Sequence, residues 1–289
     1  MSSQASSAAR PRVLLGGLEY VESPRWHEGR LWFAHWGPGE IVAVDLEGRS
    51  EAMARVSASM GYSFDWLPDG RLLATGLELL RQEADGSLVP HADLSTFSRH
   101  GWNEIVVDGR GNIYINSIRF DFAAGEEFAP GIIVLVPADG SPRQVADGIA
   151  FPNGMVVTPD NSTLIVSESF ANRLTAFDIA ADGSLSNRRV WAEGVGPDGI
   201  CLDAEGAIWT SSGSMANDCV RVREGGEVLL RIEGLDRSPF ACMLGGPDRR
   251  TLFIAAAEWR GVENVYAALA SRTGQVLMVE APAPGVGWP

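Results

Sequence analysis

Apolar positions along the chain come in short runs rather than on helical faces. The runs at residues 31–34, 41–45, 71–75, 113–115, 132–136, 163–167, 174–178, 208–211, 219–222 and 251–255 are rich in β-branched residues, and Gly, Pro, Asp or Asn bounds them. That pattern predicts strands separated by tight turns. Helical periodicity is confined to two short stretches, 50–56 and 262–269.

The runs repeat. A polar turn followed by an apolar strand occurs at His27-Glu28-Gly29-Arg30, Pro68-Asp69-Gly70-Arg71, Asp108-Gly109-Arg110-Gly111-Asn112, Pro159-Asp160-Asn161-Ser162, Asp203-Ala204-Glu205-Gly206 and Pro247-Asp248-Arg249-Arg250. The spacing, roughly 40–50 residues, is the period of a four-stranded propeller blade. Second-hairpin turns fall between the copies at Glu47-Gly48, Asp85-Gly86, Asp139-Gly140, Asp182-Gly183 and Gly225-Gly226, where Asp and Gly suit tight turns. The expectation is an all-β, six-bladed β-propeller with four antiparallel strands per blade. An N-terminal strand near 13–15 should pair with 275–279 in the last blade and remove an open edge. Residues 1–10 read as a disordered leader and 11–289 as a single propeller domain.

Composition narrows the function. The chain has 23 Lys+Arg against 37 Asp+Glu, a formal charge of -14. That surface repels phosphate backbones and anionic lipid, so neither nucleic acid nor membrane is expected as a partner; it suits cations. Cys201, Cys219 and Cys242 show no CxxC spacing and cannot all pair, which argues against a disulfide scaffold or a thiolate zinc site. The first ten residues carry no apolar signal core, and a cytoplasmic location is expected. No Gly-rich fingerprint points to a nucleotide cofactor.

A propeller gathers the starts of its innermost strands at one end of a central channel. Four such positions carry oxygen donors: Glu22 in Glu-Ser-Pro-Arg-Trp, Asn103 in Gly-Trp-Asn-Glu, Asn153 in Phe-Pro-Asn-Gly-Met and Asp198 in Gly-Pro-Asp-Gly-Ile. Two carboxylates and two amides form a hard donor set. It suits Ca²⁺ or Mg²⁺, and Mn²⁺, Fe²⁺ or Zn²⁺ less exclusively.

These segments, with Asp198-Gly199-Ile200-Cys201-Leu202-Asp203-Ala204-Glu205-Gly206, resemble the SMP-30/gluconolactonase/luciferin-regenerating-enzyme family over about residues 13–280. The resemblance implies one divalent cation, calcium first, in the channel. Glu22, Asn153 and Asp198 would be direct ligands, and Asn103 a fourth ligand or a substrate-side contact. It also implies metal-assisted hydrolysis of a lactone or ester, with the ion polarising the carbonyl and Asp198 orienting or deprotonating water. Asp198 and Asn103 are the catalytic candidates.

One departure bears on substrate. Sugar-lactone members are expected to carry an Arg two positions before the channel Asn; Gly101 stands there, followed by Trp102. Arg99 and Arg119 lie nearby, and substrate contacts are expected from Trp102, Arg119, Asn103 and His100. Aromatic residues at expected rim positions (Trp36, Tyr62, Phe64, Trp66, Trp102, Phe120, Phe170 and Trp259) suggest a mouth more apolar than a sugar acid needs. His35 and His100 are placed near the channel, His27 and His91 in surface turns. Ser211-Ser212-Gly213-Ser214 lacks a nucleophile elbow, leaving Ser212 or Ser214 at most a hydrogen bond to substrate. Asp108–Asn112 reads as a turn rather than a calcium loop. The expected partner is a small lactone or ester, and the expected state a monomer or weak homo-oligomer. Two other readings stay open: a metal-dependent lyase, cyclase or isomerase, and a non-enzymatic interaction propeller.

Overall fold

Five of the six polar turns close because an Asp carboxylate accepts the backbone N–H two residues on; the first, at His27–Arg30, instead puts Glu28 and Gly29 in the left-handed region. Asp69 accepts Arg71 N, Asp108 accepts Arg110 N, and Asp203 accepts Glu205 N, at 2.8–3.1 Å. This side-chain bond substitutes for a backbone turn and reverses the chain between strands. The computed structural model describes residues 10–58, 61–213 and 216–289; the leader up to Ala9 and Ser214 lie outside them.

The described residues form six antiparallel sheets. Blade 1 runs Val21–His27, Arg30–His35, Glu40–Val44 and Ser50–Arg55, and blade 2 begins with Phe64–Trp66. Blade 3 begins with Ile105–Val107, blade 4 with Pro152–Val157 and blade 5 with Cys201–Asp203. Blade 6 is Ser238–Gly245, Thr251–Ala257, Gly274–Glu280 and, as its outermost strand, Arg12–Leu18, with Val13 opposite Leu277. The first strands of blades 6 and 1, 2 and 3, 3 and 4, 4 and 5, and 5 and 6 contact one another, which makes them the wall of the channel. Between the blades the core is apolar and aromatic; Phe33, Trp209 and Phe253 are fully buried, and Trp26 of blade 1 stacks on Phe253 of blade 6 at 5.6 Å.

Two local expectations meet different outcomes. The helix expected at 50–56 is instead the outer strand Ser50–Arg55, paired with Glu40–Val44. The ladder of the third strand offers this segment more hydrogen bonds than an isolated helical turn could make for itself, and tertiary pairing overrides propensity. The segment at 262–269 does coil, as a 3-10 turn Val262–Asn264 followed by the helix Val265–Ala270.

Candidate functional site

In each blade the first strand runs away from one rim and the second returns to it. That rim therefore carries the residues before the first strands together with the connections from second to third strand. Glu22, Asn103, Asn153 and Asp198, drawn from four blades, converge here and line one cavity of about 520 Å³. Toward the opposite end lies a feature the turn pattern does not reveal. The C-terminal Gly285–Val286 adds a fifth strand to blade 5, placing Val286 opposite Leu202, and Trp288 bridges to Val157 of blade 4.

Close approach of backbones sets the positions. Asn116 on the second strand of blade 3 donates to the carbonyl of Asn153 at 2.8 Å and accepts from Glu104 N, while Asn103 Nδ2 donates to the carbonyl of Pro152. Gly154 N donates to the carbonyl of Asp198, and a Cβ at Gly154 would lie 2.7 Å from Ile200 N. The Asn-Gly sequence thus lets blade 4 press against the Asp198 loop. A register shift after Glu22 and the left-handed backbone of Ser23 (φ 50°) turn Glu22 into the channel, where its Oε2 accepts Ser23 N at 2.9 Å.

Two further groups were not singled out by sequence. Glu104, next to Asn103, lines the cavity and is buried; it accepts from Ser23 Oγ, Ser63 Oγ and the Arg25 guanidinium at 2.5–3.1 Å. Tyr20 is held between Trp36 (5.1 Å) and Phe240 (4.6 Å). Their sequence signal is a polar or aromatic group beside the first apolar run of a blade, two residues from an oxygen donor for Tyr20 and one for Glu104.

The electrostatics are unbalanced. Burial, then Asp198 and Glu104, push the Glu22 carboxyl well above the usual carboxylate range, against the Ser23 N–H and Arg25. Burial and the nearby Glu104 raise Asp198 to about 7, with the Asn153 side chain offsetting part of the shift. Asp198 reaches the cavity, yet its Oδ1 is shielded from solvent and has no hydrogen-bond partner among the described residues. Burial and both carboxylates keep Tyr20 a neutral phenol. Among the described residues no three His, Cys, Asp or Glu side chains form a metal-ligating group, so any hard-cation site here must draw on the two amides as well.

The expected substrate contacts divide. Trp102, Asn103 and His100 line the cavity. Arg119 does not: its left-handed backbone (φ 69°) leaves Ile118 and Phe120 on the cavity and Arg119 exposed. Of the rim aromatics, Trp36, Trp102, Phe120, Phe170 and Trp259 line the cavity, joined by Tyr20, Phe122, Phe151, Phe240 and Tyr266. Tyr62 and Phe64 are instead buried in the packing of blades 1 and 2, and Trp66 stacks on His27 at 3.8 Å. His35 is off the cavity, its Nε2 accepting Glu19 N. Arg81 faces His91. Ser212 Oγ is bonded to Asp218 and Ser211 Oγ to the carbonyl of Gly196. The three cysteines are buried and unpaired. Asp108–Asn112 is a closed turn.

Gly101 has a structural reason. Its φ is +77°, and a Cβ would sit 2.6 Å from the carbonyl of Gly76, which accepts Trp102 N. No arginine fits this backbone.

The SMP-30/Gluconolactonase/LRE-like family model matches residues 20–258. A pentonolactonase of Haloferax volcanii is 27% identical over 258 residues, covering 85% of this chain and 84% of its own. The structure of a luciferin-regenerating enzyme superposes with a TM-score of 0.81 at 18% identity, covering 96% of this chain and 98% of its own. A calcium-binding regucalcin of Agrobacterium tumefaciens superposes at 0.75 with 22% identity, covering 96% and 97%.

Proposed function

Because the chain belongs to the SMP-30/gluconolactonase/LRE-like family, we propose that it is a divalent-metal-dependent hydrolase of the lactonase type. Its substrate is a lactone or ester bulkier or more apolar than a sugar lactone. The observation that carries the reading is the unmatched negative charge around Glu22, Asp198 and Glu104, with Asp198 Oδ1 left without a partner among the described residues. An unpaired buried carboxylate is costly, and a hard cation held by Glu22, Asn153 and Asp198, with Asn103 as a fourth donor or substrate contact, removes that cost. All-oxygen donors favour calcium.

When bound, such a cation supplies Lewis-acid polarisation of a carbonyl. The chain's own groups do the rest. A carboxylate oxygen of Asp198 orients the attacking water and takes its proton. Asn103 and the neutral Tyr20 hydroxyl face the substrate. Trp102 and the surrounding rings exclude bulk water, which strengthens the interactions inside. The backbone at Gly101 withholds the arginine that would anchor sugar oxygens, and ten aromatic residues line the cavity.

Elemental analysis before and after chelation, with a panel from sugar lactones to aromatic and long-chain lactones, tests this. The expected result is stoichiometric metal and chelator-sensitive hydrolysis that favours the apolar substrates. Metal without hydrolysis would point to lyase or cyclase chemistry. A protein that binds no metal under any condition would overturn the reading.

A further inference from the structure

The aromatic lining has two halves of different construction. On the blade 1–blade 6 side, Tyr20 stacks on Trp36 and has Phe240 tilted against it, and Trp259 meets Phe240 edge-on at 5.8 Å. Those rings are already partnered and belong to a buried apolar cluster with Val265 and Leu269.

The blade 3–blade 4 side is different. Phe151 takes a left-handed backbone (φ 61°), a conformation that costs an aromatic residue about 1–3 kcal/mol and persists only where surroundings impose it. The imposing bonds are visible: Ser169 N donates to the Phe151 carbonyl at 3.1 Å and Phe170 N to the Ala150 carbonyl at 3.2 Å. They place the Phe151 and Phe170 rings 4.4 Å apart at 16°. Phe120 stands edge-on to both at 5.9 Å, and Phe128 lies over Phe170 at 6.0 Å. Yet Phe170 stays 52% exposed and Phe128 53%. A cluster built only for stability would bury these rings; this one holds Phe170, under backbone strain, on the cavity, with Phe128 beside it. Phe151 is two residues from Asn153, so the stack adjoins the polar centre.

Charge restricts what can stack there. The acidic groups on the cavity are Glu22, Glu104, Asp121 and Asp198. The basic ones are Arg99, 82% exposed and 3.5 Å from Glu126, and His100, 3.6 Å from the same carboxylate. Four carboxyl groups against one surface arginine and one histidine, both drawn toward Glu126, disfavour a substrate carboxylate here.

We propose that Phe120, Phe151 and Phe170, with Phe128 at the rim, form a subsite for a flat aromatic group, and that the substrate is an uncharged, aryl-bearing lactone or ester. This rests on the hydrolase reading above and adds the substrate class and the residues that select it.

The test uses the full chain, a phenyl-substituted γ-lactone, its non-hydrolysable lactam, and unsubstituted γ-butyrolactone. Because the Phe170 ring is half in solvent, Phe170→Ala keeps the fold, which melting temperature verifies. The variant should weaken lactam binding and raise KM for the phenyl lactone about tenfold, the worth of an aromatic contact. The KM for γ-butyrolactone, which has no ring to stack, should rise far less than that for the phenyl lactone, and Phe170→Tyr should restore phenyl binding. Calorimetry with the lactam, on metal-loaded and chelated protein, separates the two readings. Lactam binding that needs Phe170 in a protein that hydrolyses no lactone would sink the hydrolase reading and leave the subsite standing. A lactam that does not bind the wild-type chain, or a Phe170→Ala variant with no effect or an equal effect on both lactones, would overturn the subsite.

Discussion

Two buried carboxylate sites in the same ring are treated in opposite ways. Glu168, at the end of the second strand of blade 4, is fully buried. Arg173 Nε and Arg188 Nη2 reach it at 3.0 and 3.1 Å, Thr175 Oγ1 at 2.5 Å and Ala150 N at 2.8 Å. Burial alone would raise its pKa, but these bonds outweigh burial and hold the carboxyl below its ordinary range. At the axis the nearby arginine, Arg25, is taken by Glu104, and Glu22 and Asp198 sit in the raised range. The fold can therefore supply arginines to a buried carboxylate where it must. Among the described residues, Glu22 and Asp198 have only the charge of Arg25, already paired with Glu104, to offset their burial, and it is this imbalance that the proposed cation would answer.

Replacing Asp198 by Asn gives the largest effect. With the proposed base and one proposed ligand removed, lactone turnover should fall about 10²–10⁴-fold, and metal content by elemental analysis should fall with it. The metal-free protein should melt no lower than wild type, because the change removes an uncompensated charge. A variant that keeps stoichiometric metal and full turnover would break the contrast. Glu168→Gln should do the reverse. It leaves two arginines facing a neutral amide, and breaking a buried pair costs about 3–5 kcal/mol; the arginines are 30% and 36% exposed, so the lower end is expected in urea denaturation. Metal content and turnover per folded molecule should not move. If metal is lost instead, Glu168 is coupled to the axis and the two sites are not separate devices.

The halves of this contrast differed in how visible they were along the chain. Turn residues and oxygen donors stand immediately outside the apolar runs, so ring repetition alone lines up Glu22, Asn103, Asn153 and Asp198. Their common cavity follows from strand direction. Glu104 and Arg25 sit at the edges of apolar segments, where alternation assigns a charged residue to solvent; in a propeller the first strand faces a channel instead, and the two find each other across blades. Ser50–Arg55 reads as helix because its residues favour one locally, while the open ladder of Glu40–Val44 decides otherwise. Arg119 is two residues from Ser117 and looks available to the channel, but the left-handed turn at its own backbone removes it. The fifth strand of blade 5 carries no turn signal, since Gly285–Val286 pairs with residues more than eighty positions earlier.

Asp65 stands between the two extremes and gives the smallest, most discriminating test. The charge of Arg25 is the largest offset to its burial, followed by the N–H groups of Val107 at 2.7 Å and Trp66 at 2.9 Å, from which it accepts hydrogen bonds. Burial wins, and its pKa rises to about 6 from 3.8. The folded state thus binds the proton more tightly than the unfolded chain. The stabilisation this supplies is complete below about pH 4 and is lost as pH rises through about 6. Two units correspond to at most about 3 kcal/mol, and about 2 is a fair expectation once relaxation is allowed. Asp65→Asn stays neutral throughout but gives up one of the two N–H bonds, so it should be slightly less stable than wild type at pH 4. Between pH 4 and pH 8 the difference, variant minus wild type, should climb by about 2 kcal/mol in urea denaturation. A difference that stays flat would mean that the charge of Arg25 and two N–H bonds suffice to hold a buried carboxylate ionised. In that case the raised pKa of Asp198 would no longer argue for an absent cation, and only its partnerless Oδ1 would.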